Sequence, residues 1–140
     1  MTNVKMNTST ESDVKESYEE YLINKVKVDP LLLKQGKEKV RHWSKADWDK
    51  YHNAMECLTK EFVIALKNNL QPESKTVQDL VRKHFALVNI FWAPTRSNYI
   101  GLGQMYKEYP DFKTFYAAYH PDLVEFLAMA MQIFAENELA

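Results

Sequence analysis

The chain has 140 residues and a formal net charge of -1, and it is long enough for one domain with a hydrophobic core. The near balance of acids and bases argues against non-specific nucleic-acid binding, which requires an excess of Lys and Arg. Its single cysteine, Cys57, excludes an internal disulfide and fits a reducing compartment. The polar N-terminus lacks a signal-peptide pattern, and no apolar run is long enough to span a membrane. The sequence therefore predicts a cytoplasmic protein that does not contact a membrane.

Few helix breakers and no long strand-like alternation predict an all-α fold. Residues 1–11 are polar and are expected to be disordered, and residues 12–140 are expected to form a single domain. Residues 12–27 and 31–41 show helical patterns that are marginal without a packing partner, and Gly36 costs the second about 1 kcal/mol relative to alanine. We therefore expect residues 12–42 to form a looser helical arm.

The elements after this arm carry clearer signals. Ser44, with Asp47 three residues later, predicts a capped helix that runs to about residue 68. Its apolar stripe contains Trp48, Tyr51, Met55, Leu58 and Phe62. A second helix, capped by Ser74 or Thr76, precedes a hairpin of helices over 97–108 and 111–119. The last helix is expected to start at residues 120–122, with proline at its first position.

Aromatic residues make up 13% of the chain, and many of them lie around the predicted hairpin. This group comprises Phe91, Trp92, Tyr99, Tyr106, Phe115, Tyr116 and Tyr119. The rings fit a plain hydrophobic core, yet tyrosine keeps a polar tip, so four of them in a short span indicate a surface that stays partly wet. A core and a cleft for a flat, mostly apolar small molecule are both open interpretations.

Other polar residues give weaker signals. His84 lies on an apolar stripe and is either a hydrogen-bonding group in a cleft or a core histidine bonded to a backbone carbonyl. His52 and Glu56 have the spacing of metal ligands on a helix, but no second pair accompanies them, so we reject a metal site. The Gly-Leu-Gly at residues 101–103 lies in a helical pattern and does not indicate a nucleotide loop. With no nucleophile–base pair in sight, the sequence predicts neither an enzyme nor a cofactor.

Several motifs resemble a known family in their order and spacing. They are Trp43-Ser44-Lys45-Ala46-Asp47-Trp48, Leu58-Thr59-Lys60-Glu61-Phe62, His84, Leu102-Gly103-Gln104-Met105-Tyr106, Asp111-Phe112 and Pro121-Asp122-Leu123-Val124-Glu125-Phe126-Leu127. From about Tyr18 to Ala135 the chain resembles the TipAS-type antibiotic-recognition domain, the effector-binding half of MerR-family regulators such as the thiostrepton-induced activator. The resemblance implies a globin-like helical bundle with a deep cleft for bulky heterocyclic peptide antibiotics. It also implies that the N-terminal helices are mobile when the cleft is empty.

Two departures from this family pattern change the expectation. The best-known member captures thiopeptides covalently through a cysteine just before its Leu-Gly-x-Met-Tyr motif, and the matching position here is Gly101. Because Cys57 falls on a different helix, any binding is expected to be non-covalent. The DNA-reading and dimerising segments of the full regulators would need many residues ahead of Ser12. We therefore expect no direct nucleic-acid binding by this chain.

The resulting hypothesis is a small-molecule binding domain that sequesters an antibiotic or senses it in transcriptional regulation. The residues expected to line its cleft are Trp48, His84, Phe91, Trp92, Tyr99, Gly101, Leu102, Met105 and Tyr106. The alternative is an interaction module whose aromatic face receives a partner helix or a second copy of the chain in a homodimer.

Overall fold

The computed structural model describes residues 17–140, which form seven helices and contain no β-strand. The all-α prediction is therefore confirmed for this part of the chain. The first helix, α1, is α-helical over Tyr18–Tyr21 and continues as a π-helix over Leu22–Val26. The others are α2 Pro30–Val40, α3 Lys45–Lys67, α4 Lys75–Asn89, α5 Arg96–Glu108, α6 Pro110–Ala117 and α7 Leu123–Glu138. The expected disorder of residues 1–11 and the helical pattern of residues 12–16 lie outside the described residues.

Side-chain caps fix where several helices begin. Ser44 accepts a hydrogen bond from the backbone N–H of Asp47, whose carboxylate accepts the Ser44 backbone N–H in return, so α3 starts with a complete capping box. Ser74, and not Thr76, caps α4 through the backbone N–H of Val77. Thr95 and Asn98 form the equivalent reciprocal pair at α5. These caps satisfy backbone donors that the first helical turn leaves unpaired.

The predicted start of the last helix is wrong by two residues. The helix begins at Leu123, so Pro121 precedes it and does not occupy its first position. The ring Nδ1 of His120 accepts the backbone N–H of Asp122 at 3.0 Å. This local hydrogen bond holds residues 120–122 in a turn, and Asp122 becomes the N-cap residue without capping through its own side chain.

The centre of the domain is the packing of α5 against α7. Leu102, Met105 and Met131 are almost fully buried between these helices and their neighbours. A methyl group placed on Gly103 would lie 3.3 Å from the Cα of Ala128, so the two backbones approach closely at small residues. Burial of apolar side chains along this contact provides the main stabilisation of the bundle.

The N-terminal arm divides into two parts that are attached differently. Helix α1 is anchored on α5, because the Tyr21 hydroxyl donates to Glu108 Oε1 at 2.7 Å and Leu22 is fully buried. Helix α2 buries only Leu33 and Gly36. The prediction of a loosely attached arm therefore applies chiefly to α2, which has little apolar surface in the core.

Replacing Gly36 by alanine is expected to destabilise the docking of α2. In an open helix this change stabilises by about 0.5–1 kcal/mol. Here the added Cβ would lie 2.0 Å from the backbone carbonyl oxygen of Phe91, which cannot rotate away, so α2 must shift at a cost of about 1–3 kcal/mol. Urea unfolding and tryptic cleavage within α2 would measure the effect. The exposed Gln35→Ala provides the control on the same helix, and equal protection in both variants would contradict the prediction.

Candidate ligand-binding site

A cleft of about 610 Å³ opens between the N-terminal helices and the body of the bundle. This volume lies within the range of pockets that bind drug-sized molecules. Helices α1 to α6 and the segment after α4 all contribute to its walls. The lining residues are Tyr18, Glu19, Leu33, Gly36, Lys37, Val40, Trp48, Tyr51, His52, Met55, Val88, Phe91, Trp92, Leu102, Tyr106, Asp111, Phe112, Phe115 and Tyr116.

One wall of the cleft consists of Trp48, Tyr51 and Phe91, and we call it the tryptophan wall. Trp48 and Phe91 are nearly parallel, with ring centroids 6.1 Å apart at an angle of 18°, and Tyr51 meets Phe91 edge-on at 5.0 Å. Trp43 supports these rings, lying 4.7 Å from Trp48, although it does not line the cleft. All three wall residues are half-buried. Their rings are therefore held by packing while part of each surface remains available to a ligand.

A second wall, the tyrosine wall, consists of Tyr106, Phe112 and Tyr116 from α5 and α6. The Tyr106 ring lies 5.1 Å from Phe112 and 5.2 Å from Tyr116. Tyr18 of α1 packs on Phe112 at 5.6 Å, and Phe115 at the margin is 50% exposed. The hairpin that carries these rings thus forms a continuous aromatic surface facing the same cavity.

Charged residues are confined to a few positions around the cleft. Lys37 of α2 forms an ion pair with Glu19 of α1, with 2.5 Å between Nζ and Oε2. Both side chains are largely exposed, so the pair contributes little stability, but it links the two N-terminal helices beside the cavity. Asp111 and His52 are the other charged or titratable residues among the lining apart from the tyrosines. A large uncharged molecule would therefore meet mainly apolar and aromatic surface.

The phenols of the cleft are neutral. Burial raises the pKa of Tyr106 well above its usual value, and the neighbouring phenols of Tyr116 and Tyr18 raise it further. Burial likewise raises the pKa of Tyr51 and Tyr116. At neutral pH these side chains therefore act as uncharged hydrogen-bonding groups.

His84 lies behind the tyrosine wall and does not line the cleft. Its Nδ1 is 2.7 Å from the Tyr99 hydroxyl, and its Nε2 is 3.2 Å from the Tyr106 hydroxyl. Burial lowers the pKa of His84 to about 4. His84 is therefore a neutral core histidine, satisfied by two phenols and not by the backbone carbonyl considered for it from the sequence.

The sequence-predicted site residues fall into two groups in the structure. Five of them line the cleft: Trp48, Phe91, Trp92, Leu102 and Tyr106. Four lie elsewhere: His84, Tyr99 and Met105 are buried in the core, and a Cβ on Gly101 would point at Val26 Cγ1, 2.8 Å away. The reason is geometric, because neighbours on one helix stripe can face either the cavity or another helix. Ligand contact by any of the nine stays a prediction.

Several lining residues were absent from the sequence-based set. Tyr51 and Met55 follow Trp48 on the same stripe of α3. Their helical spacing from Trp48 is the one sequence signal that could have identified them as lining residues. Tyr116 belongs to the aromatic group of the sequence, but nothing in the sequence distinguishes its lining position from a core position. The contribution of α2, through Leu33 and Lys37, had no signal in the sequence because it depends on how that helix docks.

No group of three His, Cys, Asp or Glu side chains within residues 17–140 is arranged to hold a metal ion. None of the helices in this range combines the length and hydrophobicity needed to cross a membrane.

The fold and the aromatic cleft together define a helical domain with a large aromatic cleft between its N-terminal helices and the body of the bundle. Residues 11–134 match the TipAS antibiotic-recognition domain, and the chain belongs to this family. The structure is similar to that of TipAS from Streptomyces lividans in complex with nosiheptide, described as part of a thiopeptide antibiotic multidrug resistance system. The TM-score is 0.72 at 20% sequence identity, covering 96% of this chain and 95% of that one. This likeness confirms the expected globin-like helical fold.

Curated relatives place the same domain in longer proteins. The chain is 30% identical over 107 residues to the HTH-type transcriptional regulator SkgA of Caulobacter vibrioides, in both strain NA1000 / CB15N and strain ATCC 19089 / CIP 103742 / CB 15. The match covers 75% of this chain but only 42% of those regulators. The chain therefore corresponds to less than half the length of the curated relatives it matches.

Proposed function

We propose that this domain binds bulky, flat, heterocyclic peptide-like antibiotics in its cleft, without catalysing a reaction. The observation that carries the proposal is the aromatic cavity of about 610 Å³ in a member of the TipAS family. Such a cavity suits planar rings, which gain apolar burial and stacking against fixed aromatic side chains. Nosiheptide, the thiopeptide bound by the similar protein, is the first ligand to test.

The two aromatic walls have complementary roles in this proposal. Trp48 and Phe91 offer stacking surfaces, and Trp92 and Leu102 close the apolar floor. Neutral phenols, with Tyr106 at their centre, supply hydrogen bonds that orient the ligand. Binding energy then comes mainly from apolar burial, and orientation from a small number of polar contacts.

Binding is proposed to be non-covalent. Gly101 carries no reactive group, and its position packs against Val26 and does not open into the cleft. The free thiol of Cys57 is exposed on α3 and does not line the cavity. A ligand in the cleft therefore has no nucleophilic cysteine beside it among the residues the structure describes.

The biological role that we infer is sequestration of a toxic compound, or its detection on behalf of transcriptional regulation, in the cytoplasm. The relatives support both roles, since one is described as part of a resistance system and the other as a transcriptional regulator. In either role the domain itself needs only to bind and to become more ordered, as the sparse attachment of α2 would permit.

Thermal unfolding with and without nosiheptide tests this function. At a ligand concentration 100 times the dissociation constant, binding adds about 2.7 kcal/mol to the free energy of unfolding and raises the midpoint. Cyclosporin, a bulky cyclic peptide without aromatic heterocycles, serves as the control ligand and should give no shift. A shift that disappears on dialysis, with an unmodified protein mass after denaturation, is the expected result.

Two other results would contradict this proposal. An unchanged midpoint with nosiheptide, together with a concentration-dependent dimer in sedimentation that hides tryptophan fluorescence, would favour the interaction module. A mass increase that survives denaturation would contradict non-covalent binding. Cys57→Ser would then identify whether the exposed thiol had reacted.

A further inference from the structure

The aromatic surface of α6 continues beyond the cleft. Phe112 and Phe115 are three residues apart on this helix, so they occupy neighbouring positions on one of its faces. Tyr119, in the turn after α6, packs on Phe115 with 5.5 Å between the ring centroids, yet it does not line the cavity. We call Phe115 and Tyr119 the outer rings. They extend the tyrosine wall from the cavity towards the protein surface.

The exposure of the side chains rises along this row of rings. Tyr116, in the tyrosine wall, is 3% exposed, Phe112 is half-buried, and Phe115 is 50% exposed. Among the Phe, Tyr and Trp side chains that line the cleft, Phe115 is the most exposed. It borders the cavity and still has half of its surface accessible, which places it at the mouth of the cleft.

Contacts with neighbouring groups hold the outer rings in position. Phe115 meets Tyr116 nearly at a right angle with ring centroids 5.1 Å apart, and it meets Tyr119 at an angle of 66°. The backbone N–H of Tyr119 donates to the carbonyl of Tyr116 at 3.0 Å, which fixes the turn that carries the Tyr119 ring. Rings that are already ordered lose little conformational entropy when a ligand packs on them.

Exposed apolar side chains are common singly on protein surfaces and by themselves indicate no function. Residues 17–140 include six large ones, and only Tyr18 and Phe115 among them line the cleft. Tyr18 packs on Phe112 at 5.6 Å, so both of these exposed rings adjoin the same row. Phe115 therefore differs from a scattered surface residue in being continuous with a binding cavity.

The volume of the cleft limits what it can enclose. A cavity of about 610 Å³ suits a drug-sized molecule. The peptide antibiotics proposed as ligands are bulkier than that, so part of such a molecule extends past the mouth. On the α6 side of the mouth this part meets the outer rings, where planar groups can bury apolar surface.

We propose that Phe115 and Tyr119 form an outer subsite, which binds the part of a bulky heterocyclic peptide that the cavity does not enclose. This inference rests on the proposed function and adds a basis for selecting ligands by size. A molecule that fits wholly inside the cavity gains nothing from Tyr119, whereas a larger one gains the additional contact area of both rings.

Two ligands of different size test the outer subsite. Nosiheptide is compared with 2-phenylthiazole, a flat two-ring molecule that the cavity can enclose. The double variant Phe115→Ala, Tyr119→Ala should bind nosiheptide about tenfold more weakly than the wild type in calorimetry. Its affinity for 2-phenylthiazole, measured by NMR titration, should stay within about twofold of the wild type, because the inner walls remain. Circular dichroism verifies that the helices are intact.

The matched control is the double variant Ile64→Ala, Met129→Ala. These side chains are 59% and 51% exposed and do not line the cleft, so both ligands should bind as they do to the wild type. Intermolecular NOEs from nosiheptide to the ring protons of Phe115 and Tyr119 are expected in the wild-type complex. Their absence, an unchanged nosiheptide affinity in the outer-ring variant, or an equal loss for both ligands would overturn the outer subsite.

The outcomes separate this inference from the function it rests on. If nosiheptide binds the wild type and the outer-ring variant equally well, the proposed function stands and only the outer subsite is wrong. If nosiheptide does not bind the wild type, the function fails, and the outer subsite that presupposes it fails as well. A concentration-dependent dimer that the outer-ring variant abolishes would instead assign these rings to a contact between two copies of the chain.

Discussion

Replacing Trp48 and Phe91 together by alanine is expected to weaken nosiheptide binding about a hundredfold. The two rings stack on each other at 6.1 Å in the tryptophan wall and remain half-buried, so each offers contact area to a ligand. Their truncation should disturb folding less than changes at Trp92 or Tyr106, each only 5% exposed. Isothermal titration calorimetry measures the affinity, and circular dichroism verifies that the helices remain.

Trp43→Ala is the matched control for this double variant. Trp43 contacts both rings but does not line the cleft, so its loss should reduce affinity only several-fold. If the double variant binds as tightly as the wild type, or if the control loses as much, the tryptophan wall does not contact the ligand.

The free energy of unfolding is expected to fall by about 2 kcal/mol between pH 7 and pH 5 because of His84 alone. Burial lowers its pKa from 6.5 to about 4 in the folded state. Between these two pKa values the unfolded chain binds a proton at His84 that the folded chain excludes. The stabilisation that neutral His84 provides is therefore complete above pH 6.5 and is lost as the pH falls towards 4. Each pKa unit corresponds to about 1.4 kcal/mol.

Urea unfolding at intervals between pH 4 and pH 7 measures this dependence. His84→Gln should be less stable at pH 7, because it breaks the bonds to Tyr99 and Tyr106, but its stability should vary less with pH. His52→Gln removes a histidine that is exposed on α3 and should keep the wild-type dependence. Identical pH profiles for the wild type and His84→Gln would contradict the assignment of His84 as the titrating group.

Much of the secondary structure could be predicted from local signals. The capping box at Ser44 and the stripe from Trp48 to Phe62 each lie within one segment of the chain, so they can be recognised without knowing the fold. The same reasoning failed at Pro121, where a favourable first helical position was overridden by the hydrogen bond from Asp122 to the His120 ring. Boundaries are set by such individual contacts more than by residue preference.

The candidate site was predictable only in part, as the positions on α4 and in the segment after it show. Phe91 and Trp92 line the cleft, whereas His84, on the same helix stripe as core residues, lies behind the wall. Periodicity identifies the inward face of a helix, but it does not tell whether that face meets a neighbour or a cavity. Gly36 shows the same limit, because its contact with the Phe91 carbonyl depends on the docking of a distant segment.

The sequence by itself determined the all-α class, most helix starts and the aromatic character of the region around residues 91–119, since these follow from spacing and composition. Only the tertiary structure decided that the rings enclose a cleft of about 610 Å³, that α2 contributes to it, and that His84 lies between the hydroxyls of Tyr99 and Tyr106. The physical reason is that local preferences act within a few residues. Cavities and buried hydrogen-bond networks arise where distant segments meet, and the packing of the whole chain fixes their geometry.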